Sequence, residues 1–353
     1  MVLKQMGFHP SSADPCLYLR ITDGVYTYIL IYVDDIVIAS STMQEYRRLV
    51  GALSESFEIT ELGDLKFFLG IQVCQKADRF VLDQKSYVLK ILSRFNMENC
   101  KPSRVPMITG FVQQKEEDSD SLADGQQYQS LIGALLYIAV NTRPDIAIST
   151  SILGRRVTKP TSADWNEAKR VLRYLKGTAD HVLHLGGAGN LQLECFVDAD
   201  WAGEVDNRKS NTGYIFKYGG GLVGWGSRKQ TCVSLSSTEA EYIALAECLQ
   251  ELQWLRRLVD DLGEHLMLPI VVNEDNQSCI ALAASDKTSR RSKHIDTKYC
   301  FVKDLSEAGI VSIRYCPTEQ MEADLLTKPL GAVKLRQLRE AIGIRPHDVE
   351  EEC

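Results

Sequence analysis

Several carboxylates in this 353-residue chain stand where an apolar segment ends, so that a fold would both position them and leave them facing a ligand. Asp198 closes the run LQLECFVDADWA, and Asp275 follows the run LPIVVN. Glu241 lies in the first turns of the helical stretch SSTEAEYIALAECLQELQWLRRLVDDLG, and Asp324 opens a terminal helix predicted from about Glu322. Carboxylates brought together repel and shift one another's pKa, so such a cluster persists most easily when hard divalent cations neutralise it. Two Mg²⁺ ions, with Mn²⁺ able to substitute, are the fitting occupants. Held about 3.5 to 4 Å apart, such a pair activates a water and stabilises the leaving 3'-oxygen in phosphodiester hydrolysis. Placement alone is a weak signal, because acids at strand and helix ends are common and Asp198 or Asp324 equally read as helix caps.

Two further features could meet a polynucleotide. Asp34 and Asp35 separate the β-branched and aromatic runs of VYTYILIYVDDIVIAS, the pattern of a tight hairpin with an acidic turn. Lys169, Arg173 and Lys176 line one face of a helix while Ala168, Leu172 and Leu175 form another. Such a strip could follow a phosphate backbone, and reads as readily as the solvated side of an ordinary amphipathic helix.

These residues need a scaffold that brings distant segments to one edge. Strand patterns at 67–75 and 79–84 follow a helix at 42–57, and a short helix at 87–95 precedes the CKPSRVP segment. The acidic stretch KEEDSDSLADG, 115–125, reads as a loop near a domain boundary. Three helices are predicted between 129 and 178, broken at Arg143-Pro144 and Lys159-Pro160. After the GGAGN turn at 186–190 the order becomes βββαβαβα: the strand of Asp198, a hairpin around 219–221, a strand at QTCVSLSS, the long helix, the strand before Asp275, short helices, a strand at 310–315 and the terminal helix. A strand, helical crossover and strand form parallel neighbours, with ligands outside their carboxyl ends. The fold class is a mixed α/β (α+β) multidomain chain.

Bulk properties fit. A chain of this length holds two or three units, and 44% hydrophobic with 25% charged residues is a globular balance. No apolar run is long enough for a membrane span, and the start resembles no secretory signal. An intracellular, reducing location is expected. The 10 cysteines show no CxxC pair, so free, mostly buried thiols are expected. A net charge of -7 argues against bulk electrostatic binding of nucleic acid without excluding a local strip.

Together, YVDD from Tyr32, GDLKFFLGIQV from Gly63, YQSLIGALLYIAVNTRPDI from Tyr128, RVLRYLKGT from Arg170, FVDADWAG from Phe196, SRKQTCVSLSSTEAEYIAL from Ser227, EDNQS from Glu274, SKHIDTKY from Ser292 and EADLLTKPL from Glu322 resemble the reverse transcriptase and ribonuclease H region of copia-type LTR retrotransposon Pol polyproteins. All occur in the family's order, and only the tail beyond about Gly331 lies outside. The resemblance implies a partial reverse transcriptase palm and thumb at 1–100, a linker and helical connection at 101–185, a ribonuclease H-like mixed sheet with helices on its faces at 186–332, and a C-terminal tail at 333–353. It places the catalytic, metal-binding acids at Asp198, Glu241, Asp275 and Asp324, with Asp200 an alternative to Asp198 because both stand on one side of the strand. Asp34 and Asp35 match the polymerase hairpin, whose third metal-binding aspartate would precede Met1. Asp14 and Asp23 lie in no matching motif, so polymerase activity is expected to be lost and strand edges near 25–40 to be open to self-association.

The implied partner is an RNA/DNA hybrid, cut in its RNA strand, with no small-molecule cofactor and no membrane. The implied location is cytoplasmic, in a virus-like particle, or nuclear. The alternative is a non-catalytic retroelement remnant that binds nucleic acid or a partner protein, which the acidic charge favours. A strand-transfer enzyme of the integrase type is disfavoured by the TEAEY crossover helix. Cys300 stands where the family commonly has histidine. No histidine precedes Asp324 in CPTEQMEAD, His294 is the nearest in sequence, and His181 and His184 read as strand surface.

Overall fold

Where the hydrophobic period is two the chain forms strands, and where it is 3.6 it forms helices, in a computed structural model that describes residues 2–111, 124–186, 191–203, 207–285 and 293–347, with backbone alone for 293–296. Most of the predicted acidic loop, the 186–190 turn and the His294 side chain lie outside the described residues. Two compact units are present, Met1–Leu65 with Gln250–Met267, and Lys66–Leu249 with Leu268–Cys353.

The first unit opens with α1 (Val2–Gln5), β1 (His9–Pro10), β2 (Leu17–Thr22), β3 (Val25–Tyr32), β4 (Asp35–Ser40) and α2 (Met43–Ser54). The strands form an antiparallel sheet in chain order, with Tyr32 paired to Asp35, so the aspartate hairpin forms as predicted and β4 is a sheet edge. Thr42 caps α2 by accepting the Glu45 N–H, and Leu49 and Leu53 pack with Phe8 and Ile29. Asp261 Oδ2 gathers the Ser11 hydroxyl and the Ser12 N–H at 2.6 and 2.7 Å. Asp14 and Asp23 serve turns: Asp14 accepts the Cys16 N–H, and Asp23 has a φ of 51° before Gly24.

The second unit holds β5 (Phe67–Phe68), β6 (Ile71–Gln75), β7 (Arg79–Asp83), α3 (Lys85–Arg94), α4 (Gly125–Asn141), α5 (Ala147–Gly154), α6 (Ser162–Gly177), β8 (His181–Gly186), β9 (Leu193–Asp200), β10 (Asn211–Tyr218), β11 (Gly221–Lys229), the start of α7 (Ser237–Asp261), β12 (Ile270–Glu274), α8 (Gln277–Ala283), α9 (Lys293–Glu307), β13 (Val311–Tyr315), α10 (Ala332–Ala341) and β14 (Ile344–Pro346). One sheet runs β14-β8-β7-β6-β5. The other runs β11-β10-β9-β12-β13, antiparallel as far as β9 and parallel from β9 through β12 to β13. The mixed sheet and its crossover helix are those predicted. Helices α4, α5 and α6 fall where the two X-Pro breaks placed them, and their apolar faces share one core with Phe196, Ile215 and Leu326. Burying each such side chain contributes about 1.5–3 kcal/mol.

Four local expectations are corrected. The strand predicted from 67 to 75 is split by a turn in which Leu69 and Gly70 both take positive φ. QTCVSLSS is not a strand: the β10–β11 ladder ends at Asn211 opposite Lys229, followed by one more bond from the Gln230 N–H to the Ser210 carbonyl at 2.9 Å. Instead the Gln230 side chain donates to the Ala240 carbonyl at 2.8 Å, tying this segment to α7. The terminal helix does not begin at Glu322: Glu322–Leu326 is a 3₁₀ turn, and α10 starts only after Pro329, which has no N–H to continue a helical ladder. Residues 333–346, predicted as part of the tail, lie in α10 and β14, and β14 pairs with β8 while β8 pairs with β7. That sheet crosses the boundaries predicted near 100, 185 and 332. Cys16, Cys100, Cys195, Cys232, Cys248, Cys279, Cys300 and Cys316 are free thiols, half of them buried, whereas Cys74 is disulfide-bonded.

Candidate metal centre

Strand register and helix capping bring the acids together. Asp198 pairs across β9 and β10 with Gly213, and in the parallel β9–β12 ladder Phe196 stands opposite Asn273. Carrying that register on by two residues sets Asp275 beside Asp198. Ser236 caps α7 by accepting the Glu239 N–H while Glu239 accepts the Leu235 N–H, which starts the helix so that Glu241 falls in its second turn. Asp198, Glu241 and Asp275 each offer a carboxylate oxygen, all within 4.8 Å of one another. Asp198 is 2% and Glu241 5% exposed, and Asp275 is half-buried.

Electrostatics show the strain of this grouping. Burial, then Glu274, Asp198 and Asp275, push Glu241 up to about 11. Burial raises Asp198 to about 7, with Lys328 opposing and Asp324 and Asp275 reinforcing. Two unit charges 4.8 Å apart repel by about 3.5 kcal/mol at an effective dielectric of about 20. Three ionised carboxylates therefore do not coexist here without protons or a cation. Glu241 Oε2 is buried and has no hydrogen-bond partner among the described residues. An orphaned oxygen beside two more hard oxygen donors is the donor set a divalent Mg²⁺ or Mn²⁺ accepts, so the residues fit such an ion.

Asp324 is brought close but is differently engaged. It is fully buried, and its two oxygens are paired with Lys328 and Lys334. Lys328 also stands 3.7 Å from Asp198, and the Thr327 hydroxyl donates to Asp198 Oδ2. Gly213 makes this possible: a Cβ there would sit 2.6 Å from Thr327 Cγ2 and 2.9 Å from the Ala323 carbonyl, so only glycine lets the 3₁₀ turn lie on β10. Asp200, at the end of β9, is pushed up by burial and lines a neighbouring cleft of about 270 Å³ instead of joining the three.

Glu274 escapes a sequence reading that settles on its neighbour Asp275. It is fully buried, accepts the Asn276 N–H at 2.9 Å, and burial lifts it to about 8. Thr327, Lys328, Lys334 and Gly213 are likewise missed, although Lys328 stands one helical turn from Asp324 in EADLLTK. The predicted basic strip is engaged within the chain: Lys176 donates to the Cys100 carbonyl at 2.7 Å, Lys169 lies over the Trp165 ring, and Arg173 is half-buried. Asp34 and Asp35 are exposed at their hairpin and join no three-residue metal-ligand group among the described residues.

Comparison with known proteins shows the chain's family. A family model described as reverse transcriptase (RNA-dependent DNA polymerase) matches residues 1–109. The Pol polyprotein from transposon TNT 1-94 of Nicotiana tabacum is 35% identical over 97% of this chain and 26% of its own length. The chain belongs to the copia-type retrotransposon Pol family. The Pol polyprotein from transposon RE2 of Arabidopsis thaliana is 36% identical over 97% of the chain and 23% of its own length, so the chain spans about a quarter of the polyproteins it matches. A transposon Ty5-1 protein of Saccharomyces cerevisiae is 32% identical, covering 71% of the chain and 82% of that protein. Among solved structures, LC11-RNase H1, isolated from compost, aligns at 15% identity and a TM-score of 0.31 over 39% of this chain and 94% of its own. Within this Pol family member the sheet β11-β10-β9-β12-β13 carries the acidic centre, and no described helix is long and apolar enough to cross a membrane.

Proposed function

We propose that this Pol segment cuts the RNA strand of RNA/DNA hybrids by divalent-metal hydrolysis at the β9–α7–β12 edge. One observation carries the reading: carboxylates from two strand ends and a helix start, far apart in sequence, offer oxygens within 4.8 Å of one another, one residue carrying a buried oxygen with no hydrogen-bond partner among the described residues. Asp198, Glu241 and Asp275 hold the ion, and Asp324 completes the set through the residues it shares with Asp198. When bound, Mg²⁺ supplies charge neutralisation and a water activated for attack on the phosphodiester. The chain's own contribution is to hold Asp198 and Asp275 in register on adjacent parallel strands and to keep the Glu241 carboxylate dry. Thr327 fixes the Asp198 rotamer through its hydroxyl.

The hybrid is recognised by shape and by the RNA 2'-hydroxyls. Asp34 and Asp35 are a polymerase-type hairpin pair and take no part in this hydrolysis. The test is incubation of the purified chain with a labelled RNA/DNA hybrid and Mg²⁺, beside Asp198→Asn, Glu241→Gln and Asp275→Asn. Cleavage of the RNA strand by the parent and its loss in all three is expected. An inert parent chain sinks the nuclease reading in favour of a non-catalytic binder, and active variants sink the site assignment.

A further inference from the structure

The two sides of Asp198 are occupied unequally. Toward Glu241 and Asp275 no lysine or arginine among the described residues forms an ion pair with either acid, and Glu241 Oε2 has no hydrogen-bond partner among them. Toward Asp324 the place is filled: the Lys328 ammonium lies 3.7 Å from Asp198 Oδ2 and pairs with Asp324 Oδ1, while Lys334 pairs with Asp324 Oδ2 and donates to the Thr318 carbonyl at 3.1 Å. A lysine that bridges two buried carboxylates presents one positive charge where a divalent ion shared by those carboxylates would present two. Lys328 also has somewhere to go. Its side chain is 35% exposed and lines the cleft of about 270 Å³ with Thr109, Gly110, Asp200 and Gly203, so its flexible stem can swing away without opening the core. Lys334 anchors Asp324 independently, so the turn does not depend on Lys328 to stay in place.

We infer that Lys328 is a built-in cation that occupies the second divalent-ion position between Asp198 and Asp324, so that the centre binds its metals in order. Asp198, Glu241 and Asp275 would hold the first ion, and the Lys328 ammonium would have to withdraw toward the Asp200 side of the cleft before Asp198 and Asp324 could hold a second. This rests on the metal-centre reading above and adds to it a competitor supplied by the chain. Lys328 is a positioning residue here, acting on the affinity of an ion it does not ligate.

The test is Mn²⁺ binding to the full chain by calorimetry and by electron paramagnetic resonance, with no nucleic acid present, for the parent, Lys328→Met and Lys328→Arg. The parent should bind one Mn²⁺ with a second at least tenfold weaker. Lys328→Met should tighten the second site about tenfold with the first little changed, and Lys328→Arg, which keeps the charge, should retain the weak second site. A second site unchanged in Lys328→Met, with the first ion still bound, overturns the inference and leaves the metal centre standing. Absence of Mn²⁺ binding in the folded parent overturns both. Should Lys328→Met not fold, Lys328→Gln replaces it, and equal second-site affinity in Lys328→Gln and Lys328→Arg overturns the inference.

Discussion

Replacing Glu241 by glutamine should stabilise the metal-free protein while removing its response to magnesium. Glu241 has an ordinary value of 4.5 and is lifted to about 11 in the fold, first by burial and then by Glu274, Asp198 and Asp275. At pH 7 the unfolded chain carries this group ionised and the folded chain carries it protonated, so folding takes up a proton. Over the interval between 4.5 and 7, at about 1.4 kcal/mol per pH unit, the protonation costs up to about 3 kcal/mol. The sign is fixed: a carboxylate raised on folding leaves stability greatest below its unfolded value and removes it as pH rises toward the folded one. Glutamine, isosteric with the protonated acid, escapes this cost. Thermal melting in EDTA at pH 7 should therefore show Glu241→Gln melting higher than the parent, at about 2–4 °C per kcal/mol realised for a unit of this size. Its advantage should vanish near pH 4.5. Adding Mg²⁺ at ten times its dissociation constant should raise the parent by about 1.4 kcal/mol and the variant by almost nothing. A variant that melts lower than the parent in EDTA at pH 7, or that keeps the full magnesium shift, refutes the reasoning.

Other predictions follow from the surroundings of the centre. Gly213→Ala forces a Cβ against Thr327 Cγ2 and the Ala323 carbonyl, so it should destabilise by about 1–3 kcal/mol in denaturant unfolding and weaken Mn²⁺ binding in calorimetry. Arg143→Met leaves the buried Asp145 without the guanidinium that holds it below the usual carboxylate range against burial, and should cost about 3–5 kcal/mol by chemical denaturation. Asp34→Asn with Asp35→Asn should leave hybrid cleavage at the parental rate, since both aspartates are exposed at the β3–β4 hairpin.

Elements were legible where local signals agree. The β3–β4 hairpin announces itself through its Asp-Asp turn, α7 through its Ser/Glu cap, and the α4–α6 breaks through their prolines. The acids at strand ends were legible because a strand, a crossover helix and a parallel strand can only set Asp198 and Asp275 at one edge. Glu274 was not, because alternation along β12 gives no reason to prefer it over Asp275 until the packing of α7 brings Glu241 against it. Thr327 and Lys328 follow a 3₁₀ turn that Gly213 allows to lie on β10, and Lys334 reaches Asp324 from α10, tertiary facts with no local pattern. The sheet joining β7, β8 and β14 draws on residues near 80, 183 and 345, separations over which periodicity says nothing about pairing. The break at Leu69–Gly70 was hidden because a leucine at positive φ is against its propensity.

Metal binding by Asp198, Glu241 and Asp275 can be seen directly. Crystals of the chain soaked in Mn²⁺ and measured at the manganese absorption edge test it directly. An anomalous peak is expected within about 2.0–2.6 Å of an oxygen from each of the three residues, the range of hard-cation coordination. A well-ordered centre with no peak among the three carboxylates contradicts it.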